Sequence, residues 1–124
     1  MLTMYCYPTC GTCRKAKKWL DERQISYQEI QIVDHPPDRE QLIEFCRKSG
    51  LPLKKFFNTS GSHYRAQNIK TKMKTEPEEN WLNWLAADGM LIKRPLIVGR
   101  DKVTVGFRED TFEEKWGNGT GMKK

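Results

Sequence analysis

The segment LTMYCYPTCGTCRKA, residues Leu2–Ala16, predicts how the first strand and the first helix of the chain are arranged. Its first part, Leu2–Tyr7, alternates between two faces as a β-strand does, and Pro8 ends that strand. From residue 11 to about residue 24 the apolar positions recur with the period of a helix, and Ser26–Val33 is predicted to be a second strand. A strand–helix–strand unit of this kind predicts a right-handed crossover between two parallel strands.

Beyond this unit the pattern becomes helical and then returns to strands. Asp38 is predicted to cap a second helix, with a glutamine in the capping-box position, and Thr75 to cap a later one. Leu96–Val98 and Val103–Val105 predict a β-hairpin, and a last short helix follows at residues 109–116. The sequence therefore predicts an α/β fold, with a small mixed four-stranded sheet and helices on both of its faces.

Length and composition narrow the class of protein. The chain has 124 residues and a mass of 14.6 kDa, which predicts one domain over residues 1–116 and is too short for a complete (β/α)8 barrel. No apolar run reaches the roughly 20 residues of a membrane span, and the start has no signal-peptide pattern. We therefore expect a cytoplasmic protein with no membrane partner.

The chain is basic, with a net charge of +6 and a pI of about 9.2. Its basic residues are scattered and interspersed with acidic ones, which is typical of a solvated surface rather than of a nucleic-acid-binding face. The last residues, 117–124 (GNGTGMKK), predict a flexible basic tail. Nothing in the pattern argues against a monomer.

The motif that carries chemistry is Cys10-Gly11-Thr12-Cys13, a C-x-x-C at the junction of a strand and a helix. Cys10 would lie at the N-terminus of the first helix, where free N–H groups and the helix dipole favour an anion. One helical turn brings Cys13 within bonding reach, and Arg14 adds positive charge. We expect Cys10 to be the attacking thiolate and the more buried Cys13 to be the resolving thiol.

The sequence gives less support to other interpretations of the cysteines. Two packed, unreactive cysteines would have no reason to occupy a helix N-terminus. The spacing Cys6-x3-Cys10-x2-Cys13 is that of iron–sulfur proteins of the radical-SAM type, but the chain is too short for their barrel. A zinc site would need His35 or His63, and neither has ligand spacing, so we expect no metal and place both histidines in exposed loops.

Two further features have ordinary structural interpretations. Cys6 and Cys46 are predicted to pack as small apolar residues, in the first strand and on the apolar side of the second helix. Arg94-Pro95 directly precedes the first strand of the hairpin, where a proline marks an edge or a turn.

Four segments together carry a resemblance that covers about residues 2–116: YPTCGTCRKA (7–16), FFNTSG (56–61), KRPL (93–96) and VTVGF (103–107). With these segments the chain resembles the arsenate reductase (ArsC)/Spx family, and especially its branch that carries a C-x-x-C. The resemblance implies a thioredoxin-like fold, with a helical insertion at about residues 36–90 between the strand–helix–strand unit and the hairpin.

The resemblance also implies roles for matching positions. Cys10 corresponds to the cysteine that attacks arsenate in the glutathione/glutaredoxin-linked reductases. In the family, backbone N–H groups after this cysteine cradle the oxyanion, and an arginine followed by a cis-proline faces it, so we expect the bond before Pro95 to be cis. Carried over to this chain, the substrate- and anion-binding residues are Gly11, Thr12, Arg14, Arg94 and Pro95.

The chain departs from the arsenate reductases at three positions. It has Ser60-Gly61 and Val105 where those enzymes carry further oxyanion-binding arginines, and Cys13 where they usually have serine. Loss of two guanidinium groups would weaken the binding of a doubly charged oxyanion.

The sequence therefore predicts first a thiol–disulfide oxidoreductase that uses a Cys10–Cys13 couple. Its partner would be a disulfide-bonded protein or glutathione, and its electron donor glutathione, a glutaredoxin or a thioredoxin, with no bound cofactor. The alternatives are a redox-switched, Spx-like regulator that binds RNA polymerase and a glutathione/glutaredoxin-linked arsenate reductase.

Overall fold

The computed structural model describes residues 1–117, and this part contains four strands and six α-helices. Short 3₁₀ turns at Leu53–Phe56 and Gly89–Leu91 join the helices of the middle region. The predicted tail at 117–124 lies outside the described residues, apart from Gly117. In chain order the elements are β1 (Leu2–Cys6), α1 (Gly11–Glu22), β2 (Tyr27–Gln31), α2 (Arg39–Ser49), α3 (Ser62–Ala66), α4 (Ile69–Thr75), α5 (Glu78–Ala87), β3 (Leu96–Val98), β4 (Val103–Val105) and α6 (Glu109–Lys115).

The strands form one mixed sheet in the order β2-β1-β3-β4. β1 pairs in parallel with β2 and antiparallel with β3, so that Met4 lies between Glu29 and Ile97. β3 and β4 form the predicted hairpin, with Ile97 opposite Thr104. The predicted α/β fold with a mixed four-stranded sheet is confirmed.

β1 is buried on both faces because helices cover both sides of the sheet. Tyr5 packs into a cluster with the middle helices, including Phe45 and Leu85. Met4 and Cys6 point to the other face, where a second cluster contains residues of α1 and α6. The period of two in β1 puts Cys6 on the same face as Met4, and in the structure α1 covers that face.

Local signals set the start of α2 and the boundary between α4 and α5. The predicted capping box is present: the Asp38 carboxylate accepts from the Gln41 backbone N–H at 2.8 Å, and the Gln41 side chain accepts from the Asp38 N–H at 3.0 Å. The predicted cap at Thr75 is wrong, because Thr75 ends α4 and α5 begins after Pro77. A residue before proline avoids the helical region, and Glu76 is indeed extended.

Three further details differ from the expectations. The second strand covers only Tyr27–Gln31, because the chain turns at Ile32. Cys46 is half-buried rather than buried, and its thiol donates to the Leu51 carbonyl at 3.3 Å. His63 lies in α3 rather than in an exposed loop, with Nδ1 2.8 Å from the Asp88 carboxylate.

No helix of the described residues is both long and apolar enough to cross a membrane.

Candidate functional site

Cys10 is the N-cap residue of α1. Its backbone is extended, with φ −80° and ψ 117°, and its N–H donates to the Tyr7 carbonyl at 3.0 Å across the turn that Pro8 introduces. Its carbonyl accepts the first helical hydrogen bond, from Arg14 at 3.2 Å. The Cys10 side chain is half-buried and caps no backbone N–H. It therefore remains available to a molecule arriving from solvent.

Cys13 lies behind Cys10, in the first turn of α1, and is 1% exposed. Its pKa is lowered from the ordinary 9.0 to about 6. The largest cause is a hydrogen bond from the Cys6 thiol; the Tyr7 backbone N–H, the Cys10 thiol and the positive charge of Arg94 act in the same direction, against the effect of burial. The surroundings of Cys13 therefore favour its thiolate form.

Arg94 is held beside these sulfurs by backbone groups. Its Nη1 donates to the carbonyls of Met90 at 3.3 Å and Ile92 at 3.2 Å, and its guanidinium lies 5.5 Å from the centroid of the Tyr7 ring. Its Nε is buried and has no hydrogen-bond partner among residues 1–117. The Arg94–Pro95 bond is cis, as predicted.

The exposed side of Cys10 faces a cavity of about 400 Å³. Two of the predicted binding residues, Thr12 and Arg94, line it together with Cys10. Gly11 and Arg14 are exposed but do not line it, and the predicted substrate-binding Pro95 is buried. The full lining is Cys10, Thr12, Asn58, Ser60, Lys93, Arg94, Gly106 and Phe107.

The sequence interpretation missed part of this lining, most notably Lys93. A bridge between Phe57 and Ile92 joins the central segment to the segment before Arg94 and so brings the central segment to the cavity. Among residues 1–117, two basic side chains and no acidic one line the cavity. Lys93 could have been found from its position next to Arg94 in the KRPL segment.

One glycine at the cavity has a conformational role. Gly106 has φ +79°, in the region that favours glycine. A Cβ there would lie 2.8 Å from Cε of Lys93. A side chain at this position would therefore displace the Lys93 chain from the cavity wall.

The two positions where a family arginine is missing, Ser60 and Val105, lie at different cavities. Ser60 lines the cavity and brings a hydroxyl where the family resemblance implies a guanidinium. Val105 is half-buried and lies on a neighbouring cavity, together with Lys93 and Arg108. The cations at the Cys10 cavity are thus Lys93 and Arg94 alone among the described residues.

The three clustered cysteines are not arranged as metal ligands. Within residues 1–117 no group of three or more His, Cys, Asp or Glu side chains has the geometry to hold a metal ion. All four cysteines are free thiols in this structure. This geometry opposes both the iron–sulfur and the zinc interpretations.

Known proteins match this chain over most of its length. The sequence model of the ArsC family matches residues 5–115. The uncharacterised protein YusI of Bacillus subtilis is 58% identical over 115 residues, which are 93% of this chain and 98% of YusI. The global transcriptional regulator Spx of Listeria innocua is 27% identical over 110 residues, 89% of this chain and 82% of Spx.

A solved structure extends the likeness to three dimensions. The crystal structure of a possible arsenate reductase from Streptococcus mutans has a TM-score of 0.82 and 45% sequence identity to this chain. The match covers 91% of this chain and 98% of that one. The chain thus shares both the sequence pattern and the thioredoxin-like fold of these proteins.

Proposed function

This chain belongs to the ArsC family, and on that premise we propose that it is a thiol–disulfide oxidoreductase in which Cys10 attacks and Cys13 resolves. Its substrate is a disulfide-bonded protein or a glutathione mixed disulfide. Its reductant is glutathione, a glutaredoxin or a thioredoxin, in the cytoplasm.

One observation carries this proposal: an accessible cysteine and a buried cysteine lie three residues apart at the N-terminus of one helix. Cys10 is half-buried and lines the cavity, whereas Cys13 is 1% exposed. A substrate reaches the first sulfur but not the second. This asymmetry suits the sequence of attack and resolution that a dithiol couple requires.

The reaction then follows two exchange steps. Cys10 passes its proton to the Cys13 sulfur and, as a thiolate, attacks one sulfur of the substrate disulfide. A mixed disulfide forms, and the substrate thiolate that leaves takes the proton from Cys13. The Cys13 thiolate attacks Cys10 Sγ, breaks the mixed disulfide and releases the second substrate thiolate, which takes up a proton. The substrate gains two electrons and the enzyme is left with a Cys10–Cys13 disulfide. Two molecules of glutathione, or the dithiol of a glutaredoxin or thioredoxin, then reduce that bond and are themselves oxidised to a disulfide.

The cavity favours a substrate that carries negative charge near its disulfide. Lys93 and Arg94 supply two cations, and no acidic side chain from the described part of the chain lines the wall. The carboxylates of a glutathionyl group would therefore be attracted. A glutathionylated peptide is therefore the substrate with which to test the proposal.

The test is release of glutathione from that peptide by the wild-type protein and three variants. Cys10→Ser should abolish release, and Cys13→Ser should accumulate a mixed disulfide at Cys10 that mass spectrometry detects. Cys46→Ser, a half-buried thiol outside the cavity, should behave as the wild type. Release by Cys10→Ser at the wild-type rate would refute the proposal.

A second candidate is a redox-switched regulator that binds RNA polymerase. It is favoured by the alignment with Spx, which extends over 89% of this chain. In that case a Cys10–Cys13 disulfide would change affinity for the polymerase rather than turn over. Binding of purified RNA polymerase that differs between the reduced and oxidised chain, without glutathione release, would favour this candidate.

A third candidate is arsenate reduction. The cations Lys93 and Arg94 beside Cys10 favour it, and Ser60 in the same wall weakens it because it supplies no charge. Arsenate consumption that needs Cys10 and Arg94 but tolerates Cys13→Ser would identify this activity.

A further inference from the structure

The carboxylate of Asp88 does not line the cavity of the site, and the proposed exchange steps give it no role. Asp88 follows α5 and caps the 3₁₀ turn that comes next, because its Oδ1 accepts from the Met90 backbone N–H at 3.0 Å. Its Oδ2 accepts from Gln67 Nε2 at 2.8 Å and lies 2.8 Å from His63 Nδ1. One carboxylate thus joins two segments that are more than 20 residues apart in sequence.

The turn that Asp88 caps also holds Arg94. Arg94 Nη1 donates to the Met90 carbonyl at 3.3 Å and to the Ile92 carbonyl at 3.2 Å. Met90 therefore donates its N–H to Asp88 and accepts from Arg94 on its carbonyl. Two hydrogen bonds through one residue of the turn connect the Asp88 carboxylate to a guanidinium that lines the cavity beside Cys10.

The other partners of Asp88 belong to the segment that forms a second wall of the same cavity. α3 begins two residues after Ser60, which lines the cavity. His63 lies in α3 and Gln67 is the C-cap residue of that helix. Their bonds to Asp88 fix α3 against the end of α5 and keep the carboxylate in place over the turn.

We propose that Asp88 is a positioning residue, which holds the Arg94 guanidinium beside Cys10 by capping the turn that binds it. This inference rests on the proposed function, in which Cys10 attacks a substrate that carries negative charge. Arginine has a long side chain with many rotamers, and holding it in one of them before the anion arrives reduces the entropy lost on binding. Asp88 would thereby favour anionic substrates without touching them.

Position and charge predict opposite effects for the loss of Asp88. Its negative charge, taken alone, repels an anion, so removal of that charge would favour anions at Cys10. If Asp88 positions Arg94, its removal leaves the guanidinium mobile and disfavours anions there. The sign of the change therefore separates the two roles.

The experiment compares the alkylation of Cys10 by iodoacetate, an anion, with its alkylation by iodoacetamide, the neutral counterpart. Both rates are measured in the reduced protein, by mass spectrometry of the peptide that contains Cys10. Their ratio reports the positive charge that an anion meets there, because changes in the reactivity of the thiol itself affect both reagents. Arg94→Gln should lower the ratio about twofold to fivefold, as expected for the loss of one partly exposed cation.

Asp88→Ala should lower the ratio of iodoacetate to iodoacetamide rates nearly as much as Arg94→Gln does. The double variant Asp88→Ala/Arg94→Gln should be no lower than Arg94→Gln alone, because Asp88 acts through Arg94. A general loss of structure would instead lower the ratio further in the double variant.

Two matched variants serve as controls. Asp88→Asn has the same charge as Asp88→Ala but keeps an oxygen that accepts from the Met90 N–H, so it should restore most of the ratio. Asp101→Ala removes an exposed aspartate in the hairpin turn, at the end of β3 and β4 away from the cavity, and should keep the wild-type ratio. If Asp88→Ala does not fold, His63→Ala/Gln67→Ala frees the carboxylate while leaving it in the chain, and should lower the ratio in the same direction.

Two results would overturn the proposal. One is a ratio in Asp88→Ala that equals or exceeds that of the wild type. The other is a ratio in Asp88→Asn as low as that in Asp88→Ala, since the bond to the Met90 N–H would then not be what holds Arg94. Alkylation needs neither turnover nor a disulfide, so a wild-type protein that releases no glutathione would count against the proposed function and leave the result for Asp88 standing.

Discussion

The free energy of unfolding of the reduced protein should rise with pH between about 6 and 9, because Cys13 binds its proton less tightly in the folded state. Its pKa is about 6 in the folded protein and 9.0 in its ordinary environment. Below pH 6 the Cys13 thiol is protonated in both states, so its ionisation adds nothing to the free energy of unfolding. Above pH 9 it is ionised in both states, and the stabilisation is fully present.

The magnitude follows from the width of this window. Each pH unit between the two values contributes up to about 1.4 kcal/mol, because the unfolded state holds roughly one more proton than the folded state. Over the whole window the gain is on the order of 4 kcal/mol. The raised pKa values of Cys6 and Cys46 act in the opposite direction, but only near and above pH 9.

The assay is urea denaturation of the reduced protein at several pH values from about 6 to 8, beside two variants. Cys13→Ser removes the ionising group and should lose the slope, whereas Cys46→Ser should keep it. If the wild type and Cys13→Ser show the same dependence on pH, the stabilised thiolate at Cys13 does not exist and the argument fails.

Two other changes have definite expected outcomes. Arg94→Gln removes a positive charge that lowers the pKa of Cys13, so the Cys13 midpoint should rise by a few tenths to about one pH unit; a midpoint equal to that of the wild type in an NMR titration would contradict this role. Gly89→Ala would place a Cβ 2.1 Å from the Ile32 carbonyl oxygen, which belongs to the backbone and cannot easily move. It should cost roughly 1–3 kcal/mol, measured by urea denaturation, and an unchanged midpoint would show that the contact relaxes freely.

The features that could be predicted from sequence are local ones. The C-x-x-C lies in a short stretch where a strand ends at a proline and a helix begins, so Cys10 at the N-cap follows from neighbouring residues alone. The capping box at Asp38 has the same local character. The cis bond before Pro95 came from the family resemblance and not from the residues themselves.

The features that escaped prediction depend on pairs of residues far apart in sequence. Lys93 reaches the cavity because a bridge between Phe57 and Ile92 joins two segments that the sequence pattern leaves unrelated. The burial of Cys6 in the same cluster as Cys13 depends on which face of β1 α1 covers, and the alternation in β1 fits either face. The wrong prediction at Thr75 is different, because its cause is local. Threonine is a good capping residue, but the proline two residues later prevents the helix from beginning there.

The most direct test of the central claim is to equilibrate the wild-type protein in glutathione buffers of graded potential and map its disulfides by mass spectrometry. We expect a reversible Cys10–Cys13 disulfide with a defined midpoint potential, while Cys6 and Cys46 stay reduced at every potential. A stable mixed disulfide between Cys10 and glutathione, with no internal bond at any potential, would contradict it and favour single-cysteine chemistry of the arsenate reductase type.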